Sequence, residues 1–489
     1  MAEITKKQLS LDSVWSFLGS ISSAIFGLGH IVVVGNAWGR DGLGIFSMAI
    51  SVYFIGSMLA NVGIHTAVIF ELAKLEKRDA KNGAVISTSL LGSLALGLLV
   101  GGVSALFSRD IATFLNQPTI AEMLFIFCLA LPLFLLSKTL VGVFNAIRNL
   151  KIVAFSQLFR GLGTFTFLVV AAQSNWELNS IACGFVLVEG LISLWLFVLI
   201  LAHFPLGLPS FTIFRRLLSF GWKTGLSGVL TDINSRLDVL IIGYFWSTSV
   251  IGVYALAANM ARGIWVFAGA IQRVTNPLFV KLFEQKDFDR IQNILTRLVV
   301  LAAPFFFIFG LGLAATAEFA IGILFPNQPE MLGALFPLYY LLPGALLFAC
   351  ITMIGSAPSS SIGKPENAVK MILGVLGANL VLNIALVPSL GAEGAAIATS
   401  FSLVVATAIF GFYSVKELQA HLPYYVLVMQ FLLSCLGAGI FQFYAIGIPV
   451  YQLLPVSLAS GLLLLIILGL LGRDEFHEGK NLLASVMKN

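Results

Sequence analysis

Apolar residues run through this chain in long stretches, with no strict alternation and no steady three-to-four spacing to set one polar face against one apolar face. An α-helix needs about 20 such residues to cross ~30 Å of hydrocarbon at ~1.5 Å rise per residue. Runs of that length lie at 14–34, 43–64, 84–107, 120–144, 153–172, 180–203, 221–243, 250–274, 298–325, 331–355, 367–387, 392–414, 424–447 and 450–472. They predict an all-α integral membrane protein with about fourteen transmembrane helices. The joints at 35–42, 244–249 and 388–391 are short, and there neighbouring helices stand closest to merging.

Laying residue n on residue n+208 exposes an internal repeat. Gly35 meets Gly243, Leu43 meets Ile251, Gly44 meets Gly252, Phe46 meets Tyr254, Glu76 meets Glu284, Arg78 meets Lys286 and Asp79 meets Asp287. Six helices separate equivalent points, so both halves enter the membrane in the same sense, as parallel repeats about an axis along its normal. The reading divides the chain into an N-lobe at 1–209, a C-lobe at 210–414 and a remainder at 415–489. The lobes are expected to flank a central cavity, with the last two helices outside the repeat.

Composition confirms the solvent: 58% of residues are hydrophobic and only 10% are charged, more apolar surface than a water-soluble domain can hide. The first apolar run lacks a small-residue cleavage site and is expected to stay as a helix. With the N-terminus in the cytoplasm, 21 of the 28 basic residues fall on that side, Arg40 and Arg109 fall outside, and five lie within spans. That asymmetry orients the bundle and puts both termini inside. The net charge of +5 then reads as an affinity for anionic membrane lipid, with no nucleic-acid footprint. The four cysteines, each within an apolar run, have no metal-ligand spacing.

The stretch from Phe220 to Met260 stands out because ionisable groups interrupt it. Lys223, Asp232, Arg236 and Asp238 share one predicted span, and Arg262 lies in the next. Each charge near the bilayer centre costs at least ~2.5 kcal/mol, so such groups face the bundle interior or a watered cavity. Asn234, Asn259 and Gln272 accompany them. A structural reading is open for each. Asp232 and Arg236, four apart, can neutralise one another. Asp238 lies about 120° round the helix from Asp232 and needs another partner, such as Arg262. Lys138 and Lys223, near inner ends, read as snorkelling anchors. Arg160 has no acid in its own helix, and Glu189 on the following helix is its available counterpart. His30, alone in the first helix, is either a packed polar residue or a proton or ion relay. Glycines crowd the first helix (Gly19, Gly27, Gly29, Gly35) and the seventh (Gly221, Gly225, Gly228, Gly243), for bending or for close packing. Pro277, Pro304 and Pro343 are candidate kinks.

The pattern Arg236-Leu-Asp238, Gly243 and Gly252-Val-Tyr254-Ala255-Leu-Ala257 resembles the central signature of bacterial polysaccharide flippases of the Wzx type, in the multidrug/oligosaccharidyl-lipid/polysaccharide exporter superfamily. GRDGLGIFSMAISVYFIGSMLANVGI at 39–64, Ile362-Gly363-Lys364-Pro365 and NLVLNIALVPSLGAEGAAIATSFS at 379–402 resemble further parts of that pattern, so the likeness covers nearly the whole chain. It implies a multi-pass protein of the bacterial inner membrane that flips an undecaprenyl-diphosphate-type oligosaccharide outward by alternating access. It also implies a polysaccharide polymerase and other assembly proteins as partners. A diphosphate head calls for cations, and guanidinium binds phosphate in a bidentate fork. Arg236, Arg262 and Arg160 are the candidates for that role, Asn234, Asn259 and Gln272 for sugar hydroxyls, and Asp232 and Asp238 for charge pairing.

Enzyme chemistry finds no motif: there is no phosphate-binding GxxxxGK[ST] loop, HExxH or GxSxG, and no cofactor is expected. Two other readings of the same superfamily stay open, a multidrug or cation antiporter and a flippase of another lipid-linked precursor. Acids would dominate an antiporter's cavity, whereas three embedded arginines favour an anionic substrate. A membrane glycosyltransferase or polymerase would need a large polar loop, and the loops around 65–83 and 275–297 are too small.

Overall fold

The computed structural model describes residues 6–61, 63–73, 80–359 and 362–444. The helix expected at 450–472 lies outside them, as do the basic residues expected at 74–78 and beyond 472, the repeat positions Glu76 and Asp79, and the side chain of Lys223. Among the described residues every regular element is helical: α1 (Lys6–Asn61), α2 (Ile64–Ala73), α3 (Ala80–Leu106), α4 (Ser108–Phe114), α5 (Ala121–Ala146), α6 (Leu150–Gln173), α7 (Ile181–His203), α8 (Phe211–Phe245), α9 (Thr248–Glu284), α10 (Phe288–Leu324), α11 (Leu335–Thr352), α12 (Pro365–Leu418) and α13 (Tyr424–Tyr444), with three short 3₁₀ turns. In hydrocarbon each backbone N–H and C=O must be satisfied within its own segment, and helices do this.

Two of these elements are pairs of spans. α1 carries one non-helical residue, Gly39 at φ 68°, and α12 carries one, Gly391 at φ 56°. Positive φ is open to glycine at little cost because it has no Cβ, so the joints expected at 35–42 and 388–391 shrink to a single residue each. Divided there, with α2 continuing the second half of α1 and the seven-residue α4 left aside, the described residues hold thirteen of the fourteen expected spans. Several helices outrun their apolar windows. α8 begins at Phe211, not at 221, and α9 ends at Glu284, not at 274, because helical hydrogen bonding continues where the apolar run stops. Pro277, Pro304 and Pro343 all lie inside continuous helices. The turns after α4 and α6 use asparagine for the left-handed conformation it tolerates, at Asn116 (φ 55°) and Asn175 (φ 53°).

By their contacts the residues fall into two compact units, Met1–Gly252 and Val253–Asn489. In unit 1, α5 packs on α1, α2, α3 and α7, and α8, which opens the second repeat, packs on α1, α2 and α3. Its core joins Ile64, Val68, Leu140, Phe144, Ile192, Leu196 and Leu217. In unit 2, α11 is the central helix, packed by α10, α12 and α13 and buried along most of its length, from Leu335 to Ile351.

At one corner of unit 1 the repeat contacts itself. A Cβ on Gly44 would collide with the Thr248 carbonyl, and a Cβ on Gly252 would collide with the Arg40 carbonyl. Gly252 and Thr248 are the n+208 equivalents of Gly44 and Arg40. The two collisions are therefore the same contact read in each direction, as a local two-fold axis requires. Thr248 Oγ1 also donates to Asp41 Oδ1 at 2.9 Å. Beside this corner, Gln117 Nε2 donates to the carbonyls of Gly243 (2.9 Å) and Trp246 (2.8 Å).

Candidate functional site

The embedded charges of unit 1 meet on the faces of α1, α2, α5, α6, α7 and α8. On α5, Phe134, Ser137 and Lys138 are spaced three and four apart and so share one face. On α1, Phe54 and Met58 do the same, and α8 brings Asp232 and Arg236.

Arg160 is committed to an acid. Its Nε donates to Glu189 Oε1 at 2.5 Å, and its Nη2 donates to Glu189 Oε2 at 3.2 Å and to Ser137 Oγ at 3.0 Å. Ser137 Oγ lies 2.7 Å from Glu189 Oε2, and Glu189 is buried. The guanidinium also stands 5.5 Å from the centroid of the Phe134 ring. The fork that the sequence offered to a phosphate thus holds a carboxylate, and α5, α6 and α7 are joined through it. Removing one partner of such a buried pair costs about 3–5 kcal/mol, since the other charge is then left uncompensated.

Arg236 is placed differently. Its guanidinium lies 4.2 Å from the centroid of Phe54, close enough for a cation–π interaction of about 0.5–2 kcal/mol, and it stays partly exposed. Asp232, one turn earlier, interacts electrostatically with both Lys138 and Arg236. Among the described residues no ion pair within 4.0 Å joins Asp232 to either, so the mutual neutralisation expected from their spacing is not a contact pair. Asp238 is buried and Asn234 is partly buried on the same helix.

Lys138 is not the snorkelling anchor that its position suggested. Its Nζ points into the bundle, 3.6 Å from Met58 Sδ and 5.8 Å from the Phe134 centroid. Nearby, His65 Nδ1 lies 3.1 Å from Asn61 Nδ2 and Nε2 lies 3.2 Å from Thr66 Oγ1. His30 is likewise occupied at both ring nitrogens: Nδ1 lies 2.5 Å from the Phe26 carbonyl and Nε2 lies 2.9 Å from Thr164 Oγ1. Phe165 and Phe185 flank its ring. Lys138 and His65 were absent from the site read from the sequence, whereas Glu189 is the counterpart expected there for Arg160. The three-and-four spacing of Phe134, Ser137 and Lys138 was the available signal, because two polar residues on one stripe of an apolar helix face its neighbours.

Unit 2 brings together fewer of the predicted residues. Arg262 Nη1 donates to Asn259 Oδ1 at 3.2 Å, one turn earlier on α9, and Asn259 Nδ2 donates to the Ala255 carbonyl at 2.7 Å. Further along α9, Gln272 packs against Gly355, which holds φ 66° in the turn after α11.

With this geometry in view, the chain was compared with known proteins. A family model described as "Polysaccharide biosynthesis protein" matches residues 39–330. Two curated relatives come from Haloferax volcanii. A probable flippase, AglR, is 27% identical over 38% of this chain and 38% of its own length. A probable low-salt glycan biosynthesis flippase, Agl15, is 24% identical over 42% of this chain and 43% of its own. The chain thus spans about two fifths of each relative's length. Among solved structures, the lipid II flippase MurJ in an inward closed conformation superposes with a TM-score of 0.75 at 17% identity, covering 94% of this chain and 99% of that one. At that identity the likeness establishes the fold.

Proposed function

Because the chain belongs to the polysaccharide biosynthesis protein family, we propose that it is a flippase moving a lipid-linked oligosaccharide of the undecaprenyl-diphosphate type across the membrane by alternating access. It does so as a multi-pass protein of a bacterial inner membrane with both termini cytoplasmic, handing its cargo to a polymerase and other assembly proteins. The functional lobes are 1–209 and 210–414, with 415–489 outside the repeat. The observation that carries the reading is the set of cations inside the spans, above all Arg236 held on the face of Phe54 and partly exposed. Flippases among its relatives agree with this. Arg236 is the candidate diphosphate ligand of unit 1, and Arg262 is the candidate anion ligand of unit 2. Asn234, Asn259 and Gln272 meet sugar hydroxyls, and Asp232 and Asp238 balance charge. His30 is retained as a coupling residue. Arg160, whose fork Glu189 fills, is given a scaffolding role.

Flipping of a labelled lipid-linked oligosaccharide by the purified protein in liposomes tests this. Arg236→Ala and Arg262→Ala are each expected to lower flipping about tenfold or more, from the loss of charge-assisted hydrogen bonds. The lysine variants should recover only part, since they keep the charge and lose the fork. Full flipping by a well-expressed, monodisperse double alanine variant refutes the reading.

A further inference from the structure

Lys138 is the embedded cation that the proposed function leaves without a task. Its ammonium carries three donors, and an ammonium inside a span needs an anion or several acceptors. Among the described residues it has neither. Its contacts are a thioether sulfur at 3.6 Å and an aromatic face at 5.8 Å, and no carboxylate comes within 4.0 Å. Asp232 acts on it electrostatically from beyond contact, and so does the like charge of Arg160. The acid that could have served it from α7, Glu189, is already bound by both arms of Arg160 and by Ser137.

From this we infer that Lys138 is an anion-binding residue whose ligand is a phosphate oxygen, and that Asp232 is its resting counter-charge, held at a distance and opposing the ligand. The inference rests on the diphosphate-linked substrate proposed above and deepens it by adding a ligand from α5 in unit 1. Three features make the place suitable. Met58 and Phe134 keep the ammonium stem packed and its head weakly solvated, which strengthens any charge it meets. Arg236 interacts with the same Asp232, so both cations share one balancing acid. Arg160, locked to Glu189, positions Phe134 and Ser137 on the helical stripe that ends in Lys138.

The sign of two substitutions separates this role from structural pairing. Binding of farnesyl diphosphate, with farnesol as the uncharged control, is measured on the full chain in detergent, with thermal stability and monodispersity followed in parallel. Lys138→Met keeps the stem and removes the charge; it is expected to weaken diphosphate binding about tenfold to a hundredfold while leaving farnesol binding and stability unchanged. Asp232→Asn removes the competing charge and is expected to tighten diphosphate binding several-fold. If Lys138 is only the structural partner of Asp232, Asp232→Asn instead destabilises the protein, the Lys138→Met/Asp232→Asn pair restores it, and diphosphate binding does not tighten. Unchanged diphosphate binding by Lys138→Met, in a protein that still loses it on Arg236→Ala, overturns the inference and leaves the substrate reading standing. Failure of the unsubstituted protein to prefer the diphosphate over farnesol overturns both.

Discussion

The two units treat buried polarity in opposite ways. Unit 1 buries acids, Glu189 and Asp238, and answers one of them with a two-pronged arginine contact across three helices. Apart from Glu417, paired with Lys364, the polar groups packed into unit 2 among the described residues are amides and hydroxyls: Asn383 Nδ2 donates to the carbonyl and side chain of Asn379 at 2.9 Å, Ser400 Oγ accepts from Gly344 N at 2.8 Å, and Gln430 accepts from Cys350 Sγ at 3.3 Å. An amide can be satisfied within its own helix or by one neighbour. A charge in hydrocarbon draws in several helices at once, and in unit 1 this fixes α5, α6 and α7 around one point. Unit 1 is thus joined through a buried charge, and unit 2 through close packing around α11.

Three experiments test or extend this contrast. The most decisive is topological. Single cysteines at Asn116 and Asn175 in unit 1 and at Asn327 in unit 2 should all be labelled from outside, while positions 281–290 should be shielded; labelling of 281–290 from outside would remove the parallel repeat and the orientation together. Next in size is the ion pair. Glu189→Gln is expected to lower stability by about 3–5 kcal/mol by stranding Arg160, whereas Gln430→Leu should cost only about 1 kcal/mol. Fluorescence-detected thermal unfolding compares the two, and equal losses would abolish the distinction between units. The smallest effect concerns the support of Arg236. Phe54→Leu removes the ring but keeps an apolar side chain, and should weaken diphosphate binding about two- to fivefold, as the loss of about 0.5–1 kcal/mol of cation–π attraction implies. An unaltered affinity would mean that the ring only fills space.

Much of the architecture could be read from the sequence because bilayer thickness is a fixed ruler. Apolar runs gave the spans, and Gly39 and Gly391 sit within the short joints anticipated at 35–42 and 388–391. Helix ends were harder to read, because hydropathy stops at the edge of hydrocarbon and hydrogen bonding does not, as the first turns of α8 and the last turns of α9 illustrate. The site was legible in kind only. Arg236 and Arg262 announce themselves as charges in apolar runs, and Glu189 was visible as the counterpart of Arg160, but Phe54, which stands over Arg236, comes from α1 and gives no such signal. Lys138 looked like an anchor because distance from the membrane edge is visible in a sequence and the direction of a side chain is not.

The reciprocal glycine corner near Gly44 and Gly252 bears on reversibility. Its surfaces are main chain against main chain, so few side chains there must be ordered on closing or freed on opening. Burying and releasing long side chains would add up to about 2 kcal/mol of rotamer entropy for each one. A joint that lacks them can come together with little conformational search, and the mirrored fit of one glycine over the other's carbonyl neighbour leaves a single register in which to do so. Beside it lie polar links, Thr248 to Asp41, Gln117 to Gly243 and Trp246, and Asn116 to Tyr244. Such a joint is selective in shape, which would suit a contact made and unmade in the alternating access proposed above.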